Sequence, residues 1–142
     1  MADELQVSIP GRLSEVDAVA RRVEEFGDAH GLPGPKVYVI NLALDELITN
    51  VVSYGFGGVP EPEIRITLRR ERDALVLIME DNGQPFDPTQ EVPTDVTSPL
   101  TERPVGGLGL HLVKNFADRL SYEFADGRNR VIVEHDLASA SA

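Results

Sequence analysis

Three short runs carry residue types and spacings that could do chemistry. Glu46 and Asn50 stand four apart in Asp45-Glu46-Leu47-Ile48-Thr49-Asn50. On a helix that spacing puts a carboxylate and a carboxamide on one face. A carboxylate can take a proton, and an amide oxygen can ligate a hard cation. A solitary E-x-x-x-N is most often an exposed polar pair. Asn41 and Asp45 share the spacing but lie further from that face, so they are expected in solvent. The second run is Asp81-Asn82-Gly83-Gln84-Pro85-Phe86-Asp87-Pro88. An Asp at a strand end can accept a hydrogen bond while a Gly two residues on lets a flat ligand approach the backbone. By itself Asp-Asn-Gly is a common turn. The third run is Gly106-Gly107-Leu108-Gly109-Leu110. Glycines leading into a helix leave N–H groups free to point at an anion, helped by the helix dipole. No Gly-Lys-Ser/Thr follows, so this is not a P-loop. Leu112 stands where a dinucleotide fingerprint needs its third Gly, and a Pro-bearing loop precedes the run instead of a strand.

These runs need elements to hold them. Leu5, Val7 and Ile9 alternate with polar residues, which predicts a strand closed by Pro10-Gly11. Ser14 and Asp17 resemble a capping box, with Asp in place of Glu or Gln. Val16, Val19, Val23 and Phe26 then recur at helical spacing to about His30, and Gly31 ends the helix. A second helix is predicted from about Lys36 to Tyr54, with Val37, Ile40, Ala43, Leu44, Leu47 and Val51 as its core stripe. Ile64, Ile66 and Leu68 mark a strand, and Ala74 to Glu80 a near-continuous apolar strand, central in a sheet. Residues 84–105 are rich in Pro and Thr, a long loop of the kind that is functional or mobile. A third helix runs from the glycine run to about Asp118. Leu120 to Ala125 and Asn129 to Asp136 form a closing hairpin across Asp126-Gly127, and residues 138–142 are a frayed tail. The expected fold is α+β: a two-layer sandwich of a mixed, mostly antiparallel sheet with three helices on one face.

Composition sets bounds on partners. The 142 residues are one domain's worth of chain, so residues 1–142 are read as a single domain. The formal net charge of −11 opposes nucleic acid and anionic membranes. There is no cysteine, which removes disulfides, zinc-thiolate sites and thiol catalysis. No run is long enough to span a bilayer and no signal peptide is recognisable, so the cytoplasm is the expected location. An anionic ligand would have to be neutralised by backbone dipoles or a metal.

Taken in order, the three runs resemble the GHKL superfamily of ATP-binding domains. Leu44 to Asn50 resembles its N box, Asp81 to Asp87 its first glycine box, and Gly106 to Val113 its second. Within the superfamily the chain is similar to the small serine/threonine kinases that act as anti-sigma factors in bacterial partner-switching pathways. The likeness spans roughly residues 5 to 137.

The resemblance implies a role for each matched residue. Glu46 would be the base toward a substrate hydroxyl, and Asn50 would coordinate Mg²⁺. Asp81 would accept the adenine amino group, with Gly83 allowing close approach. Gly106, Gly107 and Gly109 would face the phosphates. Residues 84–105 resemble the ATP lid, in which Arg103 is open between a phosphate contact and a surface charge, as is Lys114 on the third helix. Members often carry Thr or Ser near the adenine where this chain reads Asn129-Arg130. His30, His111 and His135 are isolated and expected to be structural or solvated, which opposes a full histidine kinase. Tyr54 and Phe56 could pack over the nucleotide or into the core. The implied activity is phosphorylation of a small antagonist protein with Mg·ATP, with a sigma factor as a further partner and a homodimer as the assembly. The alternative is a non-catalytic, ATP-responsive module that sequesters a sigma factor or another regulator. A clamp-type ATPase ranks last.

Overall fold

Alternating apolar residues need a partner layer, and helices with one apolar stripe provide it. The computed structural model describes residues 3–87 and 109–137. Its strands are β1 (Glu4–Pro10), β2 (Glu63–Arg70), β3 (Ala74–Asp81), β4 (Arg119–Ala125) and β5 (Arg128–Asp136). Its helices are α1 (Val16–Ala29), entered through a 3₁₀ turn at Leu13–Glu15, α2 (Gly34–Tyr54) and α3 (Gly109–Phe116). The five strands form one sheet in the order β1-β2-β3-β5-β4, so the apolar β3 is central as its composition requires.

All four pairings are antiparallel, which corrects the expectation of a mixed sheet for the described strands. The reason lies in the crossover. β3 and β4, joined through α3, run in the same direction, but β5 lies between them and is antiparallel to both.

Side-chain alternation fixes which face each residue takes. Across the sheet Val7, Ile66, Met79, Val131 and Tyr122 stand in register, and beside them Leu5, Leu68, Leu77, Val133 and Leu120. The helices cover this face. Val19, Val23 and Phe26 of α1, Ile40, Leu44, Leu47, Ile48 and Val51 of α2, and Val113 and Phe116 of α3 join the same core. The third row is Ile9, Ile64, Asp81, Asn129 and Phe124. Two polar residues therefore sit on the core face, at the end of the sheet.

The opposite face carries charge in cross-strand pairs. Arg130 bridges Glu80 (3.2 Å) and Glu123 (3.0 Å), Arg69 meets Glu4 (3.0 Å), and Arg119 meets Glu134 (3.2 Å) and Asp136 (2.7 Å). Such exposed pairs contribute only about 0–1 kcal/mol each. Their value is a solvated sheet face without unpaired charge.

Local signals are partly as the sequence leads one to expect. Gly31, at φ 66°, ends α1, and Leu32 N–H donates to Gly27 O across the turn (2.9 Å). The Ser14/Asp17 capping box does not form: no side chain caps either the 3₁₀ turn or α1. The tighter turn already provides a carbonyl for the entering N–H group, Glu15 to Arg12 O at 3.1 Å, so the hydroxyl is not needed there. Asn41 is not solvated either. It is half-buried and its Nδ2 reaches Ala20 O on α1 (3.4 Å). No described helix is long and apolar enough to cross a membrane.

The β4–β5 hairpin turns on Asp126 (φ 56°) and Gly127 (φ 75°), both in the left-handed region that a two-residue turn of this hand requires. Gly127→Val should cost about 1–2 kcal/mol, because a branched residue is strained there. Urea unfolding of the variant should show a lower midpoint with an unchanged m-value.

Candidate functional site

The central strand ends on Asp81, and the period of two that buries Leu75, Leu77 and Met79 also turns Asp81 inward. It is 4% exposed. An inward carboxylate must be bonded or it destabilises the fold. Its Oδ1 accepts from Gly83 N–H (2.9 Å) and from Asn129 Nδ2 (2.9 Å). No described protein group bonds Oδ2. Burial pushes the Asp81 carboxyl up from its ordinary range, offset in part by the Asn129 bond, the Gly83 N–H and the charge of Arg128. One carboxylate oxygen thus stands free at the edge of the core, in a setting where a ligand N–H would be a strong partner.

The segment after Asp81 is tied down on several sides. Asn82 accepts from Glu63 N–H (2.8 Å) and donates to Glu61 O (2.9 Å), which anchors the entry to β2. Gln84 N–H donates to Gly55 O at the end of α2 (2.8 Å). Gly83 lies so close that a Cβ there would stand 2.6 Å from that same carbonyl. The glycine is therefore demanded by the end of α2, and not only by a ligand's approach. Phe86 N–H donates to Asn129 Oδ1 (3.0 Å), and its ring packs on Tyr54 with centroids 5.9 Å apart. Phe56 takes the other role. It packs against the core, and a Cβ on Gly11 would fall 2.4 Å from its ring.

Because α2 is tied to the Asp81 turn at its C-terminal end, its other polar residues are placed by helix geometry. At 1.5 Å per residue, Asn50 lies about 7.5 Å and Glu46 about 13.5 Å along the axis from Gly55. Asn50 is 3% exposed, and its buried Nδ2 has no hydrogen-bond partner among the described residues. Glu46 is half-buried. Burial raises its pKa, and the neighbouring charge of Asp45 raises it further. Asp45 itself is exposed, as expected.

α3 packs on α2. Its C-terminal end is fixed at the start of α2: His135 Nδ1 donates to Phe116 O (2.8 Å), the two rings stack at 4.0 Å, and His135 Nε2 pairs with Lys36 Nζ. From Phe116 back to Gly109, its first residue, α3 rises about 10.5 Å. Gly106, Gly107 and Arg103 lie outside the described residues, as does the side chain of His111. Lys114 is exposed on the last turn of α3. His30 closes α1 against Phe26 and Asp3, so His30 and His135 are structural.

The structure thus gathers Asp81 and Gly83 at one end of α2 and carries Asn50 and Glu46 away from them along its axis. The unpartnered Asn50 Nδ2 is a donor and would suit an acceptor oxygen, while the amide oxygen is the atom that could ligate a cation. Among the described residues no group of three or more His, Cys, Asp or Glu could hold a metal. Sequence reasoning underrated Asn129 and missed Tyr122 and Gly55. The parity of β4 and β5 could have put Tyr122 on the inner face. Nothing local pointed to Gly55, which acts through its carbonyl.

Comparison with known proteins adds four findings. The family described as histidine kinase-like ATPase domain matches residues 9–134. A serine/threonine-protein kinase, BtrW of Bordetella bronchiseptica, is 34% identical over 104 residues, 73% of each chain. The serine-protein kinases RsbW of Bacillus cereus and Bacillus thuringiensis are 22% identical over 137 residues, 94% of this chain and 85% of theirs. A solved Mycobacterium tuberculosis chain bearing RsbU and RsbW domains superposes with a TM-score of 0.63 at 13% identity. That likeness is one of fold; it covers 94% of this chain, which spans 32% of the larger one.

Asp81→Asn isolates the cost of the buried carboxylate. A raised folded-state pKa means that Asp81 favours folding at acid pH and loses that contribution as pH rises through it. At pH 7 the variant should melt higher than wild type. The difference should shrink as pH falls. A markedly lower melting point at pH 7 would mean that the charge itself holds the fold.

Proposed function

The chain belongs to the histidine kinase-like ATPase domain family, and on that premise we propose that it is a Mg·ATP-dependent serine/threonine protein kinase that phosphorylates a small antagonist protein. The observation that carries the reading is the order of groups along α2. A free carboxylate oxygen of Asp81 lies at one end, then the orphaned amide of Asn50, then a half-buried Glu46 with a raised pKa. An elongated ligand with a base at one end and a triphosphate at the other matches that order. The relatives named as serine/threonine and serine kinases support the same activity.

In this reading Asp81 accepts a hydrogen bond from the exocyclic amino group of adenine. The phosphates would lie towards the start of α3 at Gly109, and Gly106 and Gly107, which precede it in the sequence, are the further candidates for backbone N–H donors. Asn50 would hold Mg²⁺ by its amide oxygen, and the bound ion would neutralise phosphate charge that this acidic chain cannot neutralise with side chains. Glu46 takes the proton from a serine or threonine hydroxyl of the partner. The hydroxyl oxygen bonds to the γ-phosphorus as the bond from phosphorus to the β–γ bridging oxygen breaks, and ADP leaves. A raised Glu46 pKa brings its basicity nearer to the operating pH. The partner is a small antagonist protein whose release or capture of a sigma factor is set by its phosphorylation. The chain acts in the cytoplasm, without direct contact with nucleic acid or membrane, and a homodimer is the proposed assembly.

Phosphotransfer from labelled ATP to the product of a neighbouring antagonist gene tests the reading. Glu46→Gln should lower kcat by about 10²–10⁴-fold, the range for loss of a general base, with little change in ATP affinity. Equal transfer by wild type and variant would remove Glu46 from the chemistry. Nucleotide-dependent capture of the partner without transfer would favour the sequestering module instead. Asn50→Ala or chelation of Mg²⁺ should weaken ATP binding sharply, as read by calorimetry.

The acid limb of the rate profile gives a second check. Glu46 must be ionised to act, so activity should fall as pH drops through a pKa above the ordinary glutamate range. Asp45→Asn removes the like charge that helps to raise it. That variant should move the acid limb to lower pH.

A further inference from the structure

Asn129 is a buried amide beside Asp81, and its surroundings show what an amide does there that a hydroxyl could not. The residue is 2% exposed. Its Nδ2 donates to Asp81 Oδ1 (2.9 Å) and to Gln84 O (2.8 Å), with Gly83 O further off at 3.4 Å. Its Oδ1 accepts from Phe86 N–H (3.0 Å) and from the Tyr122 hydroxyl. A side-chain amide has two donor hydrogens and two acceptor lone pairs, and all four are used within the protein. The partners also fix which end is which. A carboxylate and two carbonyls can only accept, while a backbone N–H can only donate. Burial holds the Tyr122 phenol above its ordinary pKa, so it keeps its proton at neutral pH.

Asn129 therefore has no hydrogen-bonding capacity left for a ligand. What it does is occupy one oxygen of Asp81 and hold the backbone from Gly83 to Phe86, leaving Oδ2 as the acceptor without a described protein partner. A serine or threonine hydroxyl, with one hydrogen to give, could bond the carboxylate or the turn but not both. Tyr122 extends the arrangement to the edge strand, and Gly55 O receives Gln84 N–H on the other side. The carboxylate is thereby held between β3, β4, β5 and the end of α2.

We propose that Asn129, steadied by Tyr122, is a positioning residue that presents the free oxygen of Asp81 to the amino group of adenine and so sets the preference for adenine over hypoxanthine nucleotides. The proposal rests on the assignment of Asp81 to the base, made above. Hypoxanthine has an oxygen where adenine has its amino group, so ATP against ITP reads the Asp81 contact directly. A residue that merely supports the fold would alter the two affinities together.

The experiment is equilibrium binding of Mg·ATP and Mg·ITP by calorimetry, with wild type, Asn129→Ser and Tyr122→Phe. Wild type should prefer ATP. Asn129→Ser should reduce the ATP/ITP affinity ratio about fivefold or more, chiefly through weaker ATP binding. Tyr122→Phe removes one neutral hydrogen bond at a half-exposed position and should reduce the ratio about 2–5-fold, the scale of one such bond. It remains decisive if Asn129→Ser fails to fold. Equal wild-type affinity for the two nucleotides would overturn the base assignment and this proposal with it. A wild-type preference that Tyr122→Phe and any folded Asn129→Ser leave intact would overturn the positioning role alone.

Discussion

Everything at this site depends on one buried carboxylate that the fold satisfies on one side only. Asp81 is placed inward by the same alternation that buries Leu77 and Met79. A charge there must find donors, and two are provided: the Gly83 N–H and the Asn129 amide. Meeting that need fixes the turn after β3, and the turn fixes the end of α2 through Gly55. Once α2 is fixed at that end, Asn50 and Glu46 have no freedom in distance from Asp81. The geometry that a nucleotide would read is thus a consequence of satisfying one oxygen.

The acidity of the chain takes on a different meaning in this light. Much of the exposed charge on the sheet is paired across strands, as in the Arg130 bridges to Glu80 and Glu123. The proposed phosphate end relies on backbone N–H groups, a helix start and a divalent ion. A formal charge of −11 then bears on which proteins and polymers approach the surface, and much less on whether a nucleotide can be held.

The legible parts were those set by local pattern. Alternation in β1, β2 and β3 and the stripe of α2 gave the elements, and the spacing of Glu46 from Asn50 gave a shared helix face. What local pattern could not give was partnership across the chain. Ser14 and Asp17 carry a capping spelling, but a backbone carbonyl in the preceding 3₁₀ turn took the N–H first. Asn41 reads as solvated until α1 packs over it. Gly83 reads as room for a ligand, and only the fold shows Gly55 O pressed against it. Asn129 could be singled out in the sequence, yet its five hydrogen-bond partners, from Asp81 to Tyr122, lie in no one window of it. The assignment of all pairings as antiparallel also needed the fold, because it turns on β5 lying between β3 and β4.

The strand order has a bearing on how this molecule is made. β3 and β5 are neighbours in the sheet, but Asp81 and Asn129 are separated by 48 positions along the chain. The β2–β3 and β4–β5 hairpins are local and close quickly, whereas joining them requires a long loop to close first. The central pairing is therefore the slow one, and a slip of two residues in it would keep every side chain on its correct face while setting Asp81 opposite Val131. A chain trapped in that register would have a sound core but would lose the Asn129 hydrogen bond to Asp81. The hydrogen bonds of Asn129 are the groups that tell the two registers apart.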